Sequence, residues 1–155
     1  KPIDPPWDSS WERMGYAGNL AEDQETASRI WRDAVKRASV HFDPQYALQR
    51  ETGAHGILLF CAEPYEAGNT LNARGLFAGA LDGDEDPATG SANGCLAAYL
   101  VEHRYFGGDS IDIRVEQGYE MKRPSILMLR AGREGDSIRV QVGGRVIPVA
   151  QGTWG

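Results

Sequence analysis

The densest group of chemically capable side chains lies in Asp82-Gly83-Asp84-Glu85-Asp86-Pro87-Ala88-Thr89-Gly90-Ser91-Ala92, with four carboxylates in five positions and two hydroxyls just beyond. Asp82, Asp84 and Asp86 match positions one, three and five of a calcium loop. Pro87, however, replaces the glycine of position six, and Asn93 replaces the bidentate glutamate of position twelve. Calcium is therefore disfavoured. A helix is expected to begin where this loop ends. The first amides of a helix lack intrahelical acceptors, and its dipole puts partial positive charge at that end. Thr89, Gly90, Ser91 and Ala92 are small enough to let a carboxylate or phosphate reach those amides, and the two hydroxyls could add hydrogen bonds. The plainer alternative is that Thr89 or Ser91 caps the helix, an effect of ~1 kcal/mol that needs no ligand. Asp86, five residues before Ser91, is the candidate for moving a proton on whatever such a cradle holds.

Periodicity supplies the elements that must position this segment. Residues 92–103 are apolar nearly all round, interrupted only by Asn93 and Glu102, and predict a buried helix stopped by Gly107-Gly108. Ile57–Cys61 is a short apolar run, as in a strand buried on both faces. Residues 70–78 alternate, with Leu71, Ala73, Gly75 and Phe77 on one side, and predict a second strand. After the helix, Ile111-Ile113-Val115, 126–129, Ile138-Val140-Val142 and 146–149 read as four more strands, with Gly143-Gly144 as a hairpin turn. Upstream, Asn19 and Glu22 form a capping-box pattern ahead of an amphipathic helix through Ala27, Ile30, Trp31, Ala34, Val35 and Ala38. Its charged side, including Arg32, Lys36 and Arg37, reads as a solvated face. Asp43-Pro44 starts a short second helix ending near Gly53. With no βαβ alternation, this order predicts an α+β fold, a curved mixed sheet wrapped around a central apolar helix. Residues 1–54 form a lead-in and residues 55–155 the sheet-and-helix domain.

Composition narrows the partners. A chain of 155 residues can bury one core and not two. Sixteen Lys and Arg against 22 Asp and Glu give a net charge of −6, and no basic cluster exists to meet a phosphate backbone, so nucleic acid is excluded. No run approaches the roughly 18 apolar residues of a membrane span. No secretory pattern is present, so cytoplasm is the expected location. Lys1 leads straight into a Pro-rich stretch, as in a piece of something longer. Cys61 and Cys95 lack metal-ligand spacing and read as reduced, buried thiols, and His41, His55 and His103 share no spacing, so no metal site is expected.

The segment Glu85-Asp86-Pro87-Ala88-Thr89-Gly90-Ser91-Ala92, with Leu96-Ala97-Ala98-Tyr99-Leu100, resembles the signature of the PhzF-like phenazine-biosynthesis isomerase family, relatives of diaminopimelate epimerase. Gln117-Gly118, Met121 and Arg123-Pro124-Ser125 are similar to that family's Q-G-x-x-M-G-R-P-S stretch, with Lys122 where the family usually has Gly. Residues 140–146 are similar to its V-x-V-G-G-x-V strand. The resemblance covers about residues 55–152. It implies the diaminopimelate epimerase-like fold, two similar α+β halves with the active site between them, and this chain is similar to the second half. It implies that Asp86, Gly90 and Ser91 face a small carboxylate substrate, that the reaction is a proton shift beside the carboxylate-bearing carbon, and that no cofactor or metal takes part. The family's principal base is a Glu on the first half, which no segment here resembles. A companion N-terminal half or a longer native chain is therefore expected, with a homodimer as the assembly. The epimerase cousins use two cysteines, but the Asp86 region occupies the matching loop here, so Cys95 is set aside. The alternative is a non-catalytic module for small-anion binding or for oligomerisation, the latter through Trp7, Trp11 and Trp154.

Overall fold

A computed structural model describes residues 32–39, 46–47, 50–77 and 85–153. Six strands, β1 (Ile57–Cys61), β2 (Leu71–Leu76), β3 (Glu85–Asp86), β4 (Ser110–Gln117), β5 (Ser125–Glu134) and β6 (Ser137–Gly144), form one sheet, and helix α1 (Gly90–Glu102) joins β3 to β4. The sheet order is β1-β2-β4-β5-β6, with β3 paired to β2. The expected α+β architecture of a mixed sheet carrying one helix is present, and the sheet is open.

Alternation builds the core. On β5, Leu127, Leu129 and Ala131 are buried while Met128 and Arg130 face solvent. The buried side meets Leu96, Ala97, Leu100 and Val101 of α1, together with Leu71, Ala73, Ile111 and Val115 from β2 and β4. Each large aliphatic side chain buried here contributes roughly 2 kcal/mol.

Four expectations are corrected. First, β2 and β4 pair in parallel, so β2, α1 and β4 form a βαβ crossover. Alternation reveals which face is buried and carries no information on strand direction. Second, α1 is not buried all round. It lies chiefly over β5 and β6, and Ser91, Cys95 and Tyr99 stay exposed because the open sheet covers one side only. Cys95 is accordingly an exposed thiol, while Cys61 is buried. Third, Gly143 and Gly144 remain within β6, paired with Met128 and Leu127. The β5–β6 turn is Gly135-Asp136, where Gly135 adopts φ 62° as a two-residue hairpin requires. Fourth, residues 146–149 join no strand, and Val146, Ile147 and Val149 are exposed. Pro148 has no N–H to give a ladder.

Upstream, residues 32–37 are helical with Val35 buried, and Gly53 at φ 71° follows helical residues 50–52, a glycine C-terminal stop. The capping-box residues Asn19 and Glu22, the Asp43-Pro44 start, Asp82, Asp84, His41, Trp7, Trp11 and Trp154 lie outside the described residues. Among the described residues, no helix is long and apolar enough to cross a membrane, and no cluster of three His, Cys, Asp or Glu side chains is placed to hold a metal ion.

Candidate functional site

The site begins with a division of labour on one edge of β2. Strand β4 pairs with Leu71, Asn72 and Ala73, and β3 pairs with Gly75 and Leu76. Because β1 runs along β2 from Asn72 to Leu76, β3 continues the edge that β4 leaves. Neighbouring residues of a strand point to opposite faces, so the adjacent acids of β3 part company. Glu85 accepts two hydrogen bonds from Arg74, at 2.9 Å from Nε and 2.7 Å from Nη2. Arg74 is buried, and its Nη1 also donates to the carbonyls of Val35, Lys36 and Ala38, closing the end of the helical segment 32–37. Glu85 thereby holds the guanidinium still more firmly in its charged form. Asp86, half-buried, instead accepts a 2.7 Å hydrogen bond at Oδ2 from the Thr89 hydroxyl, and its Oδ1 takes none among the described residues.

That bond takes the Thr89 hydroxyl away from capping, one of the uses open from sequence. Thr89 is the N-cap residue of α1, with extended backbone at φ −81° and ψ 96°, yet its side chain makes no capping bond. The hydroxyl proton goes to Asp86. The first helical bond runs from the Asn93 amide to the Thr89 carbonyl at 3.1 Å, so the amides of Gly90, Ser91 and Ala92 precede the hydrogen-bonded ladder. The first turn carries no acidic side chain to neutralise the dipole.

A cleft of about 610 Å³ opens beside this end of the helix. Its walls include Ser91, Ala92, Cys95 and Tyr99 from α1, Phe60 from β1, and Phe77. The five residues singled out from sequence thus separate: Ser91 and Ala92 line the cleft, Gly90 is exposed, Thr89 is buried, and Asp86 is off the cleft wall. No carboxylate lines the cleft among the described residues.

Several residues that hold the site were not singled out as site residues by sequence. Gln117, wholly buried at the end of β4, donates from Nε2 to the Asp86 carbonyl at 2.6 Å and to Thr89 Oγ1 at 2.9 Å. Asn93, also wholly buried, donates from Nδ2 to the Thr89 carbonyl and to Gln117 Oε1. Gly75 leaves room for them: a Cβ there would stand 2.8 Å from Thr89 Oγ1 and 3.0 Å from Gln117 Nε2. Gly118, at φ 81°, lets the chain pass Pro87 of the acidic loop, where a Cβ would also collide with the Arg123 carbonyl. Lys122 holds the left-handed φ of 59° that a glycine would adopt freely. The signal for the first two was polarity where burial was expected, Gln117 ending an alternating strand and Asn93 inside an apolar helix.

Titration elsewhere is set by burial. Desolvation pushes the Cys61 thiol up to about 11, and desolvation together with the hydrogen bond to Glu120 pushes Tyr65 up to about 12. Neither group lines the cleft. Glu116 is fully buried and accepts from the amides of Tyr65 and Glu66 and from Asn69 Nδ2, which fastens the segment after β1.

Comparison with known proteins gives a consistent grouping. A trans-2,3-dihydro-3-hydroxyanthranilate isomerase from Pseudomonas chlororaphis is 40% identical over 89 residues, covering 56% of this chain and 31% of the relative. An uncharacterized isomerase from Clostridium acetobutylicum is 27% identical over 119 residues, covering 74% of this chain and 39% of the relative. The chain therefore spans about a third of the length of these curated relatives. A crystal structure of the Bacillus anthracis phenazine biosynthesis protein of the PhzF family superposes with a TM-score of 0.63 at 20% identity, over 72% of this chain and 38% of that one, a likeness of fold. The model of the family described as phenazine biosynthesis-like protein matches residues 31–152, and the chain belongs to that family.

Proposed function

We propose that this chain supplies one half of an isomerase site that shifts a proton beside the carboxylate of a small metabolite. The observation that carries the reading is the Thr89 hydroxyl, which bonds Asp86 and leaves the first amides of α1 uncapped next to a cleft. A substrate carboxylate would rest on the amides of Gly90, Ser91 and Ala92. Negative charge grows on that carboxylate as a proton leaves the neighbouring carbon, so the same amides serve binding and rate. Removing one preorganised donor of this kind costs roughly 3 kcal/mol in hydrolytic enzymes. Asp86, one oxygen held by Thr89, would place or carry the proton with the other.

The relatives named trans-2,3-dihydro-3-hydroxyanthranilate isomerase support a cyclic amino-carboxylate as the substrate class. The second base would come from the two-thirds of the relatives' length that this chain does not span, as a companion polypeptide or a longer native chain. The absence of a carboxylate among the described cleft residues favours a second reading for the chain alone, a small-anion-binding module. One experiment separates them. The complete protein is incubated in D2O with trans-2,3-dihydro-3-hydroxyanthranilate, and deuterium entering the carbon skeleton is counted. Exchange at least 100-fold faster than in Asp86→Asn and Ser91→Leu variants is expected. Equal exchange in all three proteins, or none in the parent, refutes the isomerase reading.

A further inference from the structure

The hydrogen-bond network behind Asp86 has a fixed direction, and its origin is one side chain. Gln117 spends both Nε2 hydrogens, on the Asp86 carbonyl at 2.6 Å and on Thr89 Oγ1 at 2.9 Å. Its Oε1 accepts from Asn93 Nδ2 at 2.7 Å and from the Thr89 amide at 3.4 Å. Every donor and both acceptor sites of the amide are engaged. Because Thr89 Oγ1 already accepts from Gln117, its single proton is turned toward Asp86 Oδ2 at 2.7 Å. Asn93 locks the Gln117 amide against a flip. Both Nδ2 hydrogens of Asn93 are committed, to the Thr89 carbonyl and to Gln117, and Asn93 Oδ1 is buried with no partner among the described residues. A reversed Gln117 amide would set its oxygen against the Asp86 carbonyl and its NH2 against two donors, Asn93 Nδ2 and the Thr89 amide, and would pull the Thr89 proton away from Asp86.

We infer that Gln117 is a positioning residue of this site: it orients the Thr89 hydroxyl, which thereby holds one oxygen of Asp86 and stays off the amides of α1. Its meaning for catalysis rests on the function proposed above. Gln117 does not line the cleft, so it acts through Thr89 and not on the substrate.

Gln117→Glu is the informative variant, since it exchanges the Nε2 donor for an acceptor at nearly constant shape. In the 155-residue chain, labelled with carbon-13 and nitrogen-15 and held at pH 7, the Asp86 Cγ resonance reports the Thr89 bond. That resonance is expected to move in Gln117→Glu and to move similarly in Thr89→Val. It should stay in place in Thr89→Ser, which keeps the hydroxyl, and Gln117→Glu added to Thr89→Val should produce no further movement. A residue that merely fills space would not follow the hydroxyl in this way. An Asp86 signal unmoved in Gln117→Glu, or moved further when Gln117→Glu is added to Thr89→Val, overturns the inference. Should Gln117→Glu fail to fold, the Gln117 side-chain amide is followed instead: one of its two proton signals is expected to shift in Thr89→Val and not in Thr89→Ser, and no shift in Thr89→Val overturns the inference. Failure of the isomerase reading would appear in the deuterium experiment with these resonances unaffected, so the two failures are distinguishable.

Discussion

The two faces of β2 and β3 hold their acids by opposite means. On the outer face, Glu85 is matched by a two-point contact with buried Arg74, whose Nη1 is used on three backbone carbonyls. On the helix side, one residue later, Asp86 meets only a neutral hydroxyl, supported by neutral amides. A full counter-charge balances the charge of an acid and takes up its lone pairs. Neutral donors fix its position and leave its charge unmatched. Two adjacent carboxylates of one sequence motif therefore serve different ends, Glu85 as an anchor and Asp86 as a group still able to act.

Breaking the outer face should have the largest effect. Arg74→Met strands Glu85 without its partner and uncaps segment 32–37, and a loss of about 3–5 kcal/mol in urea unfolding is expected. A loss below about 1 kcal/mol would mean that the pair is no anchor. The inner face is tested by Gly75→Ala, whose methyl group would crowd Thr89 Oγ1 and Gln117 Nε2. Overpacking of this kind should cost about 1–3 kcal/mol and displace the Asp86 Cγ resonance. A change in stability with that resonance unmoved would separate Gly75 from the site. Lys122→Gly lies on neither face and serves as a control. Relieving its left-handed backbone should stabilise the chain by about 0.5–1 kcal/mol, with no effect on the Asp86 resonance. Destabilisation in the same unfolding experiment would show that the Lys122 side chain contributes contacts outweighing the strain.

Much of this was legible from residue order alone. The alternation in β4, β5 and β6 marked strands because β4 and β5 bury apolar residues in the core around α1 and β6 rests the half-buried Ile138 and Val140 against it. The acidic loop ahead of α1 marked the neighbourhood of the candidate site. Other features were hidden for physical reasons. The two-residue β3 is too short to have a period, and it exists because β4 vacates the edge of β2. The parallel β2–β4 pair follows from the crossover through α1, which periodicity does not encode. Cys95 looked buried because α1 is apolar, yet an open sheet leaves one side of that helix uncovered. Thr89 read as a cap, the plainer use, or as a ligand group. Its real partner was settled by Gln117, 28 residues away in sequence and adjacent in space.

In the function proposed, the bare amides at the head of α1 grip a carboxylate beside Asp86. Its most direct test is a titration of the nitrogen-15-labelled chain with 3-hydroxyanthranilate, the aromatic counterpart of the relatives' named substrate, followed through every backbone amide. Saturable shifts centred on Gly90, Ser91 and Ala92 are expected, abolished by Ser91→Leu. Shifts elsewhere with those three amides silent, or unchanged binding in Ser91→Leu, would contradict it.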